Sequence, residues 1–191
     1  MDRVVHYFEK GGEENTIKCL EIGYFLAIEG YRDFVIATTT GDTAVKFASH
    51  FKDRGLIDVN IIAVTHSYGY KEPNTIELTE DNRNNLINLG VKILTATMLT
   101  HSLETALSAQ FYGIYPTTLI AQTLRRLGQG VKVCCEIVMM AVDAGLIEEG
   151  KEVVALAGTG YGADTVCIIK SAASKRFLNL KVLEILAKPR E

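Results

Sequence analysis

The stretch DFVIATTTGDTA, Asp33 to Ala44, decides the fold. Phe34 to Thr38 reads as a strand, an apolar run that ends in hydroxyls. A turn around Gly41 follows, then a helix that opens near Asp42 and runs from about Thr43 to Arg54. Ala44, Phe47, Ala48 and Phe51 recur along it at i, i+3, i+4 and i+7. A strand that passes through such a turn into a helix aims free backbone N–H groups and threonine hydroxyls at one point. The positive end of the helix dipole strengthens the field there. Phosphate is the group this elbow suits, with Thr38, Thr39, Thr40, Gly41, Asp42 and Thr43 around it. The plainer alternative is a turn in which Asp42 or Thr43 caps the helix and nothing binds.

A second stretch, EVVALAGTGYGADT (Glu152 to Thr165), carries another strand, Val153 to Ala157, into a glycine-rich bend. The strand Thr165 to Lys170 follows at once. So short a connection makes no parallel crossover, so these two strands are antiparallel neighbours. Gly158, Thr159, Gly160, Gly162, Ala163, Asp164 and Thr165 are the candidate ligand contacts here. The glycines also read as simple permission for positive φ in a tight bend. Asp164 also reads as a brace for it. The G-x-G-x-G spacing precedes a strand and not a helix, which disfavours a dinucleotide fingerprint.

Outward from these segments, strand and helix patterns alternate. Val4 to Phe8 is a short edge strand. Glu13 to Glu29 is a helix with Ile17, Leu20, Tyr24 and Ile28 on one face. Asn15 or Thr16 caps its start and Gly30 ends it. Val59 to Thr65 is a strand, Thr79 to Leu89 a helix and Val91 to Ala96 a further strand. From His101 to Leu146 the pattern is helical, broken near Gly113 to Pro116 and at Gly128 to Gly130. The tail, Phe177 to Ala187, alternates at Leu178, Leu180 and Val182 and reads as a strand.

The expectation is a single α/β domain over residues 1–191, with three layers, α/β/α, around a mostly parallel sheet. Counted from Phe34, the core strands take the order 3-2-1-4-5, the fifth antiparallel. That order sets the first and fourth strands side by side at the switch point, where open α/β sheets bind ligands. Both loops then face one crevice, together with the start of the first helix at Glu14, Asn15 and Thr16.

Of the 191 residues, 48% are hydrophobic and 23% charged, enough for a sizeable core. A net charge of -3 and the lack of a basic block argue against a nucleic-acid partner. No apolar run reaches about 18 residues, and Met1 to Gly12 has no signal-like core, so neither a membrane span nor secretion is expected. Cys19, Cys134, Cys135 and Cys167 fit reduced thiols in a cytoplasmic protein, with Cys134 on the packed face of a helix. No H-x-x-x-H or similar pair supports a metal site.

The succession of a strand, T-x-T-G-D-T-A, a helix and IIAVT resembles the start of the C-terminal α/β domain of pyruvate kinase. The likeness continues through GIYP, Gly113 to Pro116, to GKEVVALAG and the glycine-rich hairpin, roughly Cys19 to Lys170. The opening YFEKGGEENT and the closing EILAKPR look more like stand-alone archaeal relatives of that domain. The resemblance implies that some of those relatives hold FMN in this crevice. It also implies a phosphate-binding role for Thr38, Thr40, Gly41 and Thr43, which match the loop holding one phosphate of the kinase's activator sugar bisphosphate. Two departures weigh against a bisphosphate. Asp42 stands where the kinase usually has a basic residue, and Gly158 to Gly162 lacks the Trp and Arg that help with the second phosphate. A monophosphate such as FMN fits better. The catalytic barrel of the kinase has no counterpart in this length, so kinase activity is not expected.

Around a flavin, Thr65, His66 and Met98 complete the expected cofactor contacts, with His101, Tyr68 and Tyr70 as further candidates. These histidines and tyrosines also read as ordinary loop residues. Glu136, within VCCEIVMMAV, reads as a solvated face residue or an interface group. Three functions stay open. The first is a module that binds FMN or another phosphorylated small molecule, with no catalytic residue assigned. The second is a flavin-dependent oxidoreductase in which His66, Tyr68 or Met98 tunes the ring. The third is a homo-oligomeric regulatory domain with a vestigial crevice, because the kinase uses this domain in oligomer contacts.

Overall fold

Strand β2 (Asp33–Ala37) takes the middle of the sheet because both of its faces are apolar: Phe34, Val35 and Ile36 have no solvent exposure. The computed structural model describes residues 2–190. The other strands are β1 (His6–Phe8), β3 (Asn60–Val64), β4 (Lys92–Leu94), β5 (Glu152–Ala157), β6 (Thr165–Lys170) and β7 (Lys181–Pro189). They form a seven-stranded sheet in the order β1-β7-β6-β5-β2-β3-β4. β6 runs antiparallel to β5 and β7, and the other pairs are parallel. The core order read from the sequence is the observed one, extended at the β6 edge by β7 and β1.

The helices are α1 (Thr16–Glu29), α2 (Asp42–Lys52), α3 (Glu80–Asn88), α4 (Leu103–Phe111), α5 (Pro116–Arg125) and α6 (Gln129–Asp143). Side chains alternate across each strand, so the sheet builds a core on either face. Phe34, Ile36, Val154, Leu156 and Ile168 pack against Leu20 of α1 and Phe47 and Phe51 of α2. Val35, Ile62, Ala155, Cys167 and Ile169 pack against Val131, Cys134 and Val138 of α6. Three layers result. Burial pushes the Cys135 thiol up to about 12, which leaves it inert. No helix among the described residues is long and apolar enough to cross a membrane.

Several local expectations need correction. Glu13–Asn15 is a 3-10 turn, and the α-helix starts at Thr16. Neither Asn15 nor Thr16 is a side-chain cap. Ile17 and Ile28 are exposed, while Cys19, Leu20, Gly23, Leu26 and Ala27 are buried. The helix turns this face inward because Gly23 admits Phe47: a Cβ there would lie 2.8 Å from the ring. β4 is only three residues long, an edge strand paired with β3 alone. In the tail, Ser174–Asn179 forms a 3-10 turn and Leu178 is 90% exposed, so its alternation is coincidental.

Candidate functional site

Ile36 of β2 pairs with Leu156 of β5 in parallel register, so the elbow after β2 and the bend after β5 leave the sheet side by side. A cavity of about 390 Å³ opens between them, within the range of small-molecule sites. Thr38, Thr39, Thr40, Asp42 and Thr43 line one side, and Gly158, Gly160 and Gly162 another. Thr16 reaches it from α1, Thr65 and His66 from the end of β3, and Met98 from the loop after β4.

The remaining expected contacts build walls and do not line the cavity. Asp164 and Thr165 are fully buried. Asp164 Oδ2 accepts from the amides of Gly12 (3.1 Å) and Thr159 (2.9 Å), and Oδ1 accepts from Thr165 Oγ1 at 2.7 Å. Asp164 is therefore a brace. The Ala163 amide donates to Thr16 Oγ1 at 3.0 Å, which pins α1 to the bend. Asn15 Nδ2 donates to the carbonyls of Lys10 and Gly12. Gly41 packs so close to α3 that a Cβ on it would lie 2.6 Å from Asn82 Cβ.

The elbow is braced from α3. Thr40 Oγ1 donates to Asp42 Oδ2 at 2.8 Å, and Asn82 Nδ2 donates to Asp42 Oδ1 (2.8 Å) and to the Thr40 carbonyl (3.0 Å). These bonds, Thr40 first and Asn82 next, hold the Asp42 carboxyl below its ordinary value. No side chain among the described residues caps α2, so the orphan amides of its first turn are left to other partners. Lys46, one turn along, lines the same cavity. The Thr38 hydroxyl is buried with no hydrogen-bond partner among the described residues. Such a group costs about 1–3 kcal/mol until something bonds it.

The opposite wall sets Lys132 and Glu136, which the sequence does not mark as contacts, beside the candidate His101. Lys132 and Glu136, one turn apart on α6, are 1% and 3% exposed and joined Nζ to Oε2 at 2.5 Å. Both line the cavity. Thr100 donates to Glu136 Oε1 from its amide and its hydroxyl, each at 2.7 Å. His101 Nδ1 lies 3.5 Å from Lys132 Nζ and 3.2 Å from Thr100 Oγ1. Burial pushes the Glu136 carboxyl up, but the Lys132 charge and the bonds from Lys132 and Thr100 outweigh it and hold the group below its ordinary value. Burial draws the Lys132 ammonium down, against the pull of Glu136. Glu136 is thus a buried, paired carboxylate and not a solvated face residue. The available signal was its spacing: Lys132 and Glu136 stand at i and i+4, close enough to be buried as one pair.

Residues 28–169 match the family model described as pyruvate kinase, alpha/beta domain. The chain belongs to that family. The match runs from the last turn of α1 to the end of β6 and contains the elbow, the Lys132–Glu136 wall and the bend. β1, β7 and most of α1, with Thr16 and Glu13 at the cavity, lie outside it. In this pyruvate kinase-type domain the sheet is therefore widened beyond the matched segment at the β6 edge.

A strap from His66 to Glu77 covers one side of the cavity. His66 Nδ1 pairs with Glu77 Oε1 at 3.1 Å, and the Tyr70 ring lies 4.3 Å from the His66 ring. Lys71 Nζ donates to the Tyr161 hydroxyl at 3.4 Å, tying strap to bend. Tyr70 lines the cavity, whereas Tyr68 is 62% exposed and bonds the Asn74 carbonyl. Acid should loosen the wall in two stages. Burial first, then the Lys132 charge, hold the His101 imidazole below its ordinary value of 6.5. The unfolded chain therefore takes up that proton first, and stability declines as pH falls below about 6.5. Glu136 is shifted down, so its contribution is complete above the ordinary carboxylate value and is lost as pH falls through the lower folded value. Urea titrations across this range are expected to show both limbs. His101→Gln flattens the upper one, apart from the share of His50, which burial also holds low. An unchanged upper limb in that variant would contradict the assignment.

Proposed function

We propose that this domain binds a phosphorylated small molecule, with FMN the best candidate and the phosphate at the elbow, Thr38 to Thr43. The threonine-lined cavity at the start of α2 carries the reading, because the described residues leave that helix end uncapped and the buried Thr38 hydroxyl beside it without a partner. An anionic oxygen satisfies both the hydroxyl and the helix amides. Lys46 supplies the positive charge that Asp42, occupied by Thr40 and Asn82, does not. One anion subsite suits a monophosphate. Tyr70 and His66 offer faces for a flat ring, with Met98 and Thr65 beside them. Thr38, Thr43 and Lys46 would hold the phosphate, and a bound flavin would supply hydride or electron transfer. The chain's own part is to orient the ring and exclude water from it.

Homo-oligomerisation fits the same reading, since Phe111, Tyr112 and Ile114 form an exposed apolar stretch at the α4–α5 connection. The four free, buried cysteines suit a reducing cytoplasm. FMN at 100 times its dissociation constant should add about 2.7 kcal/mol of stability. Thr38→Val and Thr43→Val should abolish the preference for FMN over riboflavin. A melting temperature unmoved by FMN and by inorganic phosphate overturns the proposal.

A further inference from the structure

We propose that Lys132 is a second recognition pole of the same cavity, donating to an oxygen at the end of the ligand remote from its phosphate. The ligand class is then a phosphate monoester whose other end carries a carbonyl or anionic oxygen. This rests on the phosphate reading above and adds the chemistry of the far end.

An ammonium has three donors. Glu136 Oε2 takes one at 2.5 Å. His101 Nδ1, at 3.5 Å and already close to the Thr100 hydroxyl, is a weak second acceptor. Lys132 therefore keeps a donor for the cavity that it lines. Glu136 is engaged on both oxygens, by Thr100 and by Lys132, so it holds the ammonium and does not read the ligand. At 1% exposure the donor is nearly free of competing water, and charge-assisted bonds are strongest there. A buried ion pair adds little net stability over an apolar pair of the same volume. Its position on a cavity that Thr38, Thr43 and Lys46 also line is the mark of a functional pair. Lys46 near the elbow, Lys71 on the strap and Lys132 on the α6 wall line the cavity, and of the three only Lys132 is buried, so a ligand with an apolar tail leaves that dry pole unanswered.

The test compares phosphate esters of hydroxy acids, two to six carbons long, with alkyl phosphates of equal length, by calorimetric titration. At the length that spans both poles, the hydroxy-acid ester should bind about tenfold tighter or more. In Lys132→Met/Glu136→Gln, which removes both charges and keeps an acceptor for Thr100, that ratio should fall to about one while the alkyl phosphate binds as before. A ratio near one at every length in the natural protein overturns the second pole and leaves the phosphate site standing. A ratio preserved in the double variant does the same. Failure of every ester and of inorganic phosphate to bind removes both readings.

Discussion

Replacing Lys132 by Met lowers the unfolding free energy by about 3–5 kcal/mol at pH 7, because it strands a buried carboxylate. Glu136 is 3% exposed and would keep only its two Thr100 bonds. For a domain of this size, that is a fall of roughly 6–20 °C in melting temperature. The pH dependence identifies the cause. Without Lys132, burial dominates and the folded value of Glu136 rises above its unfolded value. The variant's deficit is then largest at neutral pH and shrinks as acid neutralises the carboxyl. Lys132→Met/Glu136→Gln should recover most of the loss at pH 7, since it leaves no buried charge. Urea denaturation at several pH values measures both effects. A single variant within about 1 kcal/mol of the natural protein, or a deficit flat in pH, would mean that the pair is not held dry as described.

The features legible in the sequence are those whose cause is local. The apolar run Phe34 to Ala37, the turn at Gly41 and the period-3.6 face of α2 all lie within one short segment, so strand, elbow and helix could be read together. The antiparallel β5–β6 pair follows from the shortness of its bend, and the strand order from the length of the helical excursion. The α6 wall was illegible for the opposite reason. Thr100 comes 36 residues before the Glu136 that it bonds, and a charge in an apolar helix looks the same whether it meets water or a partner. The strap is tied to the bend by Lys71 and Tyr161, 90 residues apart. Within the bend, period-two alternation gives no hint that Asp164 turns back to the Gly12 amide while Gly160 and Gly162 face the cavity.

Gly162→Ala costs about 2–5 kcal/mol, whereas Gly160→Ala costs about 1–2 kcal/mol. Both glycines have positive φ, +74° and +82°, so each alanine pays the left-handed penalty. Only Gly162 adds a collision: its Cβ would lie 2.5 Å from the Glu13 Cα and 2.5 Å from Thr16 Oγ1, whereas among the described residues only the chain neighbours come within 4 Å of a Cβ at Gly160. Backbone cannot swing away as a flexible side chain can, so the start of α1 must move and the Ala163–Thr16 bond must stretch. Glu13 and Thr16 both line the cavity, so the same variant should weaken phosphate binding more than Gly160→Ala, which leaves both of them in place. Chemical denaturation and phosphate titration of the two variants separate the effects. Equal losses in both would mean that the bend rides free of α1. The bend beside the elbow would then be an adjustable loop, and the elbow would have to hold an anion without a fixed surface next to it.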